Sequence, residues 1–203
     1  HYVPDTGNIT FNGKLMPAGD TKAAIKAGIG MVHQHFTLAE NLTVLENIII
    51  GKNPLWGWTL NAVKAEKKIR NISESFGLKL DPFSKVIDLS VGEKQRLEIL
   101  KTLYGDCKLV ILDEPTASLT PQEVDSLFTT INAMVKSGLS VIIISHKLDE
   151  ILKISDRIVV LRQGEVVSTI AKIDANKDDL AELIVGRKIF RPEKKETIPT
   201  QKI

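Results

Sequence analysis

Apolar positions along this chain fall into short continuous runs and longer stripes with a period near 3.6, and their alternation predicts an α/β domain. Ile29 to Val32, Leu109 to Leu112 and Val141 to Ile144 are compact runs of strand length. The last two suit strands buried on both faces of a parallel sheet. Helical patterns lie between them. Thr21 to Ala27 is a short helix stopped by Gly28, and Thr43-Val44-Leu45-Glu46 is a capping box opening a helix through Ile50, stopped by Gly51. A further helix starts near Asn61, carries Ala62, Ala65, Ile69, Ile72 and Phe76 on one face, and ends at Gly77. Leu89 to Arg96 is a small-residue turn opening a helix that runs to about Tyr104. Thr120, Pro121 and Glu123 start another, which buries Val124, Leu127, Phe128, Ile131, Met134 and Val135 and ends at Gly138.

The ends of the chain read differently. Asn8 to Phe11 alternates into Asn12-Gly13, a strong hairpin turn. Arg157 to Leu161 and Glu165 to Ile170 form a second hairpin through Gln163-Gly164, followed by a helix from Asp178 to Val185 closed by Gly186. From Arg187 the chain is polar and charged, carries two prolines and shows no periodicity, which predicts a linker over 187–203. The region of about 41–86 reads as an all-helical insert in the α/β domain.

Composition narrows the classes. With 203 residues, 43% of them hydrophobic, the chain can build a sizeable core and is not expected to be disordered. Lys plus Arg is 27 against 25 for Asp plus Glu, a net charge of +2, which gives no warrant for nucleic-acid binding. Lys64, Lys67, Lys68 and Arg70 lie among Glu66 and Glu74 and read as a solvated face. A single cysteine, Cys107, excludes an internal disulfide and suits a small buried hydrophobe. No apolar run is long enough for a membrane-spanning helix and no export signal stands at the N-terminus, so a soluble, cytoplasmic chain is expected. The first residue is His1 rather than methionine, so the sequence is expected to begin inside a longer product or after trimming.

Two stretches carry candidate phosphate chemistry. The turn at Leu89-Ser90-Val91-Gly92-Glu93 would offer free backbone N–H groups and the positive end of a helix to an anion. Leu109 to Asp113 would deliver Asp113 and Glu114 to the carboxyl edge of the sheet, where a carboxylate pair can hold magnesium and polarise water. Taken alone, either stretch is equally an amphipathic helix or a core strand with a polar end. His33 and His35 invite a metal reading, but no carboxylate or cysteine accompanies them at ligand spacing. Gly7, Gly13 and Lys14 imitate a phosphate-binding loop. The spacing is one residue too long, Leu15 stands where Ser or Thr is needed, and no helix follows.

Taken together, in this order and spacing, the two stretches resemble the ABC-type ATPases. The first resembles their signature sequence and the second their Walker B strand with its glutamate. Gln34 falls on the Q-loop glutamine and Ser145-His146 on the H-loop. The resemblance implies a P-loop NTPase-like parallel sheet core with an all-helical subdomain and small antiparallel β elements, forming an ATPase domain over 1–186. It implies ATP and Mg²⁺ as ligands, with catalytic roles for Glu114, His146 and Gln34. Ser90, Val91, Gly92, Glu93 and Asp113 would bind the nucleotide, and Asp113 and Gln34 would hold the metal. It further implies transmembrane permease subunits docking on the helical subdomain, a second ATPase domain in a head-to-tail dimer, and a solute-binding protein acting indirectly. The location would be the cytoplasmic face of the membrane. Trp56 and Trp58 would belong either to the docking surface or to the core.

Within the family, Leu89-Ser90-Val91-Gly92, Thr116-Ala117-Ser118-Leu119-Thr120 and Ser145-His146-Lys147-Leu148 are similar to the first of two ATPase halves in simple-sugar importers. Val32 to Phe36 and Leu97 to Tyr104 are more similar to nucleoside importers. The chain departs from the common pattern at Val91, usually glycine, at Glu93, usually glutamine, and at Thr120, where a D-loop usually ends in aspartate. No Gly-x-x-x-x-Gly-Lys-Ser/Thr loop occurs in the chain. In the family that loop lies upstream of the position of His1, and its strand is expected beside Leu109 to Asp113. Rival readings are a soluble repair or ribosome-associated ATPase, or a non-hydrolysing interaction piece. The repair reading is disfavoured by the absence of long heptads between Gln34 and Ser90 and the ribosome-associated reading by the mixed charge after Arg187, while the missing phosphate loop leaves the interaction piece open.

Overall fold

A computed structural model describes residues 3–50 and 58–186, which fall into two compact units meeting between His146 and Lys147. In the first unit, β1 (Ile9–Phe11) and β2 (Lys14–Met16) form an antiparallel hairpin with Phe11 opposite Lys14. Asn12 and Gly13 both have positive φ, 49° and 72°, as the tightest two-residue hairpin turn requires. Lys14 is therefore a strand residue, and no phosphate loop forms here. Helix α1 (Thr21–Ala27) is capped by Asp20 and stopped by Gly28 in the left-handed region.

Three strands make the central sheet: β3 (Ile29–Val32), β4 (Leu109–Asp113) and β5 (Ser140–Ile144), in the order β3-β4-β5 and all parallel. Met31, Ile111 and Ile142 share a register position. Both edges of β4 are thus paired, which corrects the expectation of a further strand beside Leu109 to Asp113. Among the described residues the open edges belong to β3 and β5. The sheet is also less buried than its sequence suggests. Val110 and Leu112 are fully buried, whereas Met31 is 41% exposed and Ile142 and Ile144 are 47% exposed on the opposite face.

Four helices complete this unit: α2 (Val44–Ile49), α3 (Trp58–Phe76), α4 (Val91–Leu103) and α5 (Pro121–Lys136). Helix α3 begins three residues before its predicted start. Helix α4 lies among β3, α2 and α3 and buries Leu97, Ile99, Leu100 and Leu103. It sits so close to β3 that a Cβ on Gly30 would collide with the Thr102 methyl. Glycine is what permits that approach. On α5 the buried residues are Leu127, Phe128, Thr130, Ile131 and Met134, while Val135, expected in the core, is 44% exposed. Thr130 turns inward because its hydroxyl donates to the Phe76 carbonyl at the end of α3, 3.1 Å away. The segments flanking α2 and α3 are stitched together by Val44 N–H to Ser84 O and Val86 N–H to Leu42 O, both 3.0 Å. Gly51, the Trp56 and Trp58 side chains and the 187–203 linker lie outside the described residues.

The second unit contains α6 (Leu148–Ile154), which the sequence reading does not foresee, then β6 (Arg157–Arg162), β7 (Glu165–Ala171) and α7 (Lys177–Val185). Strands β6 and β7 form the expected hairpin, with Gln163 and Gly164 at φ 52° and 83°. Ile158, Val160 and Leu180 are its buried centre, with Leu148, Ile151, Leu152, Ile170, Ala175 and Leu183 packed around them.

Candidate functional site

Parallel strands present their carboxyl ends together, and here that edge gathers the carboxylates and the histidine. Asp113 closes β4 in register with Ile144, and Ser145-His146 follows directly from β5. Glu114 turns the chain sharply off the strand with φ 46°, its N–H donating to Ile144 O at 2.9 Å. A left-handed non-glycine residue costs about 1–2 kcal/mol, and such outliers concentrate where a side chain must be aimed. The aim here is toward His146. Nδ1 of His146 lies 2.8 Å from Glu114 Oε1. An ionised carboxylate only accepts, so in that state His146 Nδ1–H donates to Glu114 Oε1. The imidazole is 77% exposed and the Glu114 side chain 17%.

Glu114 Oε2 is buried and has no hydrogen-bond partner among the described residues. A buried carboxylate oxygen without a donor is costly, so the site favours a proton donor such as water at that atom. This orphaned acceptor, next to Asp113 at the sheet edge, is the feature that fits a magnesium-bound phosphate and its attacking water. Gln34 arrives at the same edge, because β3 ends at Val32 opposite Leu112. Its side chain is exposed and makes no hydrogen bond to Asp113, Glu114 or His146 in this structure.

The turn at Ser90 is organised separately. Ser90 is the N-cap of α4 and forms a capping box with Glu93. Ser90 N–H donates to Glu93 Oε2 at 2.9 Å and Glu93 N–H to Ser90 Oγ at 3.3 Å. The Ser90 N–H and hydroxyl, both facing the Glu93 carboxyl, hold it below the usual carboxylate range. The carboxylate of Glu123 from α5 lies against Gly92. A Cβ at Gly92 would run into that carboxylate. The expectation of free backbone N–H groups is therefore corrected for Ser90 and Glu93, whose N–H groups are taken inside the capping box by Glu93 Oε2 and Ser90 Oγ. Val91 is 42% exposed.

Glu123 also serves its own helix, accepting from Thr120 N–H and Thr120 Oγ–H, both at 2.9 Å. Those donors hold its carboxyl below the ordinary range. Its capping role is visible in Thr120-Pro121-Gln122-Glu123. Its second contact with Gly92 is not, because it depends on how α4 and α5 pack. Structure thus joins Glu114 to His146 and sets Asp113 beside them. It brings Gln34 to the same edge without contact and leaves Ser90 to Glu93 on another turn.

A short parallel sheet with a carboxylate pair at its carboxyl edge and a helical insert between β3 and α4 defines a P-loop NTPase-like cassette. Solved structures agree on the fold. A nucleotide-free ATP-binding cassette from an ABC transporter aligns with TM-score 0.74 at 23% identity, covering 90% of this chain and 78% of that one. The ABC transporter family model matches residues 1–117. The nucleoside import ATP-binding protein NupA of Lactococcus lactis subsp. cremoris is 45% identical over 92% of this chain and 37% of its own length. The guanosine import ATP-binding protein NupO of Bacillus subtilis is 43% identical over 98% of this chain and 39% of its own. The chain belongs to the ABC transporter family. It spans about two fifths of the length of these curated relatives.

Proposed function

We propose that this chain is part of the ATP-hydrolysing subunit of an ABC importer that energises uptake of nucleosides or simple sugars. The observation that carries the chemistry is the Glu114 carboxylate at the sheet edge, one oxygen held by His146 and the other buried without a partner among the described residues. Glu114 Oε2 accepts a proton from the attacking water, and His146 fixes the carboxylate through Oε1. Gln34, a neutral amide at the same edge, orients water without adding charge. Asp113 and Gln34 would hold magnesium, which supplies charge neutralisation at the phosphates of bound ATP. Ser90, Val91, Gly92 and Glu93 would meet the nucleotide held by a second ATPase domain in a head-to-tail dimer. The Glu93 and Glu123 carboxylates around that turn must yield as the phosphate arrives.

In this reading residues 1–186 form one ATPase domain, about 41–86 its docking subdomain and 187–203 a linker. The partners are transmembrane permease subunits, served indirectly by a solute-binding protein, and the place is the cytoplasmic face of the membrane. Nucleoside import is favoured over sugar import by the two relatives quoted above. The test uses the full-length gene product with its permease in proteoliposomes. Magnesium-dependent ATP turnover that drives nucleoside or sugar accumulation is expected. Turnover that continues unchanged without magnesium, or with no solute movement for either class, would overturn the reading.

A further inference from the structure

Helix α4 carries a stripe of charged residues that faces the segment immediately after Gln34. Glu98 is 6% exposed, deep for a carboxylate, and its Oε1 accepts from Thr37 N–H at 2.6 Å and from Thr37 Oγ–H at 3.0 Å. One turn further on, Lys101 Nζ donates to the Thr37 carbonyl at 3.1 Å and reaches its hydroxyl at 3.4 Å. One turn earlier, Lys94 Nζ binds Glu40 at 2.9 Å. Residues 94, 98 and 101 lie on one face of the helix. Every polar group of Thr37 is thereby bonded to α4. Ala39 is held from the other side, its N–H donating to Asn47 Oδ1 at 2.8 Å and its carbonyl accepting from Asn47 Nδ2 at 3.0 Å on α2.

Burying a carboxylate costs several kcal/mol unless strong donors meet it. A helix that needed only to pack would carry an apolar side chain at this position, as Leu97 and Leu100 do beside it. Two backbone polar groups of Thr37 instead end on α4, which is capped by Ser90 and opens with Val91 and Gly92. Glu98 stands about 12 Å along a rigid helix from Ser90 at 1.5 Å per residue. Thr37 follows Gln34 by three residues. We propose that Glu98 is a positioning residue that fixes the Gln34 segment to the signature helix, so that Gln34 and the Ser90 turn are placed as one body. The proposal rests on the ATPase reading above.

The test compares wild type, Glu98→Gln, Glu98→Ala and Thr37→Val in the full-length protein assembled with its permease, measuring kcat and KM for ATP. A small misplacement of a catalytic group costs up to about 10²-fold, so Glu98→Ala is expected to lower kcat by about 10–100-fold while KM changes by less than about threefold. Glu98→Gln keeps an oxygen that can accept both Thr37 bonds and is expected to restore kcat to within about threefold of wild type. Thr37→Val, at an exposed residue, keeps the N–H bond and loses only the hydroxyl, so a smaller fall in kcat is expected even if Glu98→Ala proves too unstable to assay. Wild-type kcat in both Glu98→Ala and Thr37→Val would overturn the proposal, as would a Glu98→Gln enzyme as slow as Glu98→Ala. If Glu98→Ala does not assemble, unchanged kcat in Thr37→Val alone overturns it. An inactive wild type would instead count against the ATPase reading itself.

Discussion

Replacing Glu114 with glutamine separates the two oxygens of the candidate base. Oε1 accepts the His146 Nδ1–H at 2.8 Å, and a glutamine oxygen can take the same bond, so His146 keeps its place. At the buried position of Oε2 an amide NH₂ replaces a bare acceptor. It can donate to water but cannot take its proton. General-base contributions run to about 10²–10⁴-fold, or about 2.7–5.4 kcal/mol of barrier at 1.36 kcal/mol per decade. Shape, register and the left-handed turn at φ 46° are unchanged by the substitution, so nucleotide affinity should stay close to wild type. Phosphate release at saturating magnesium and ATP, together with the Kd of a fluorescent nucleotide, reads both terms in the full-length protein with its permease. Turnover within about twofold of wild type would refute the assignment of Glu114. A parallel loss of binding and turnover would refute the separation of the two oxygens.

Gly92→Ala places a methyl against the Glu123 carboxylate, which must swing away from Thr120 and open the cap of α5; a loss of about 0.5–2 kcal/mol is expected by thermal melting. Gly92→Ala in a Glu123→Ala background removes the collision and should cost less than the two single effects added. Acid stability follows from the capping boxes at Thr43, Ser90 and Thr120, whose N–H and hydroxyl donors depress Glu46, Glu93 and Glu123. Depressed carboxylates stabilise above their unfolded value of about 4.3, and the contribution vanishes as pH falls through their folded values. Urea midpoints of wild type and Glu46→Gln should accordingly differ at about pH 6 and converge as the pH falls below the ordinary carboxylate range; a constant gap would contradict the capping account. Leu112→Ala, at a fully buried site in β4, should cost about 2–5 kcal/mol, and Ile142→Ala on the half-exposed face distinctly less. Equal losses by denaturant titration would show that the outer face of the sheet is covered.

Element types and boundaries were largely legible because they are set locally. A capping box, a stop glycine or an Asn-Gly turn satisfies or strains its own backbone within a few residues, so Thr43, Gly28 and Asn12-Gly13 announce their structures directly. Asp113, Glu114 and His146 were legible for a related reason: each directly ends or follows an apolar run, and parallel strands bring those ends to one edge whatever lies elsewhere. Other features could be decided only by tertiary packing. Runs as apolar as Val141 to Ile144 say nothing of which face a neighbour covers, and Ile142 and Ile144 stand half exposed. Thr130 is buried with its hydroxyl on a carbonyl at the end of α3, while the more apolar Val135 stands 44% exposed. Glu123 reaches Gly92, and Glu98 reaches Thr37, across separations that carry no local signal. Polar contacts of that kind depend on the approach of two surfaces formed far apart in the chain, so the sequence names the residues while only the folded packing selects their partners.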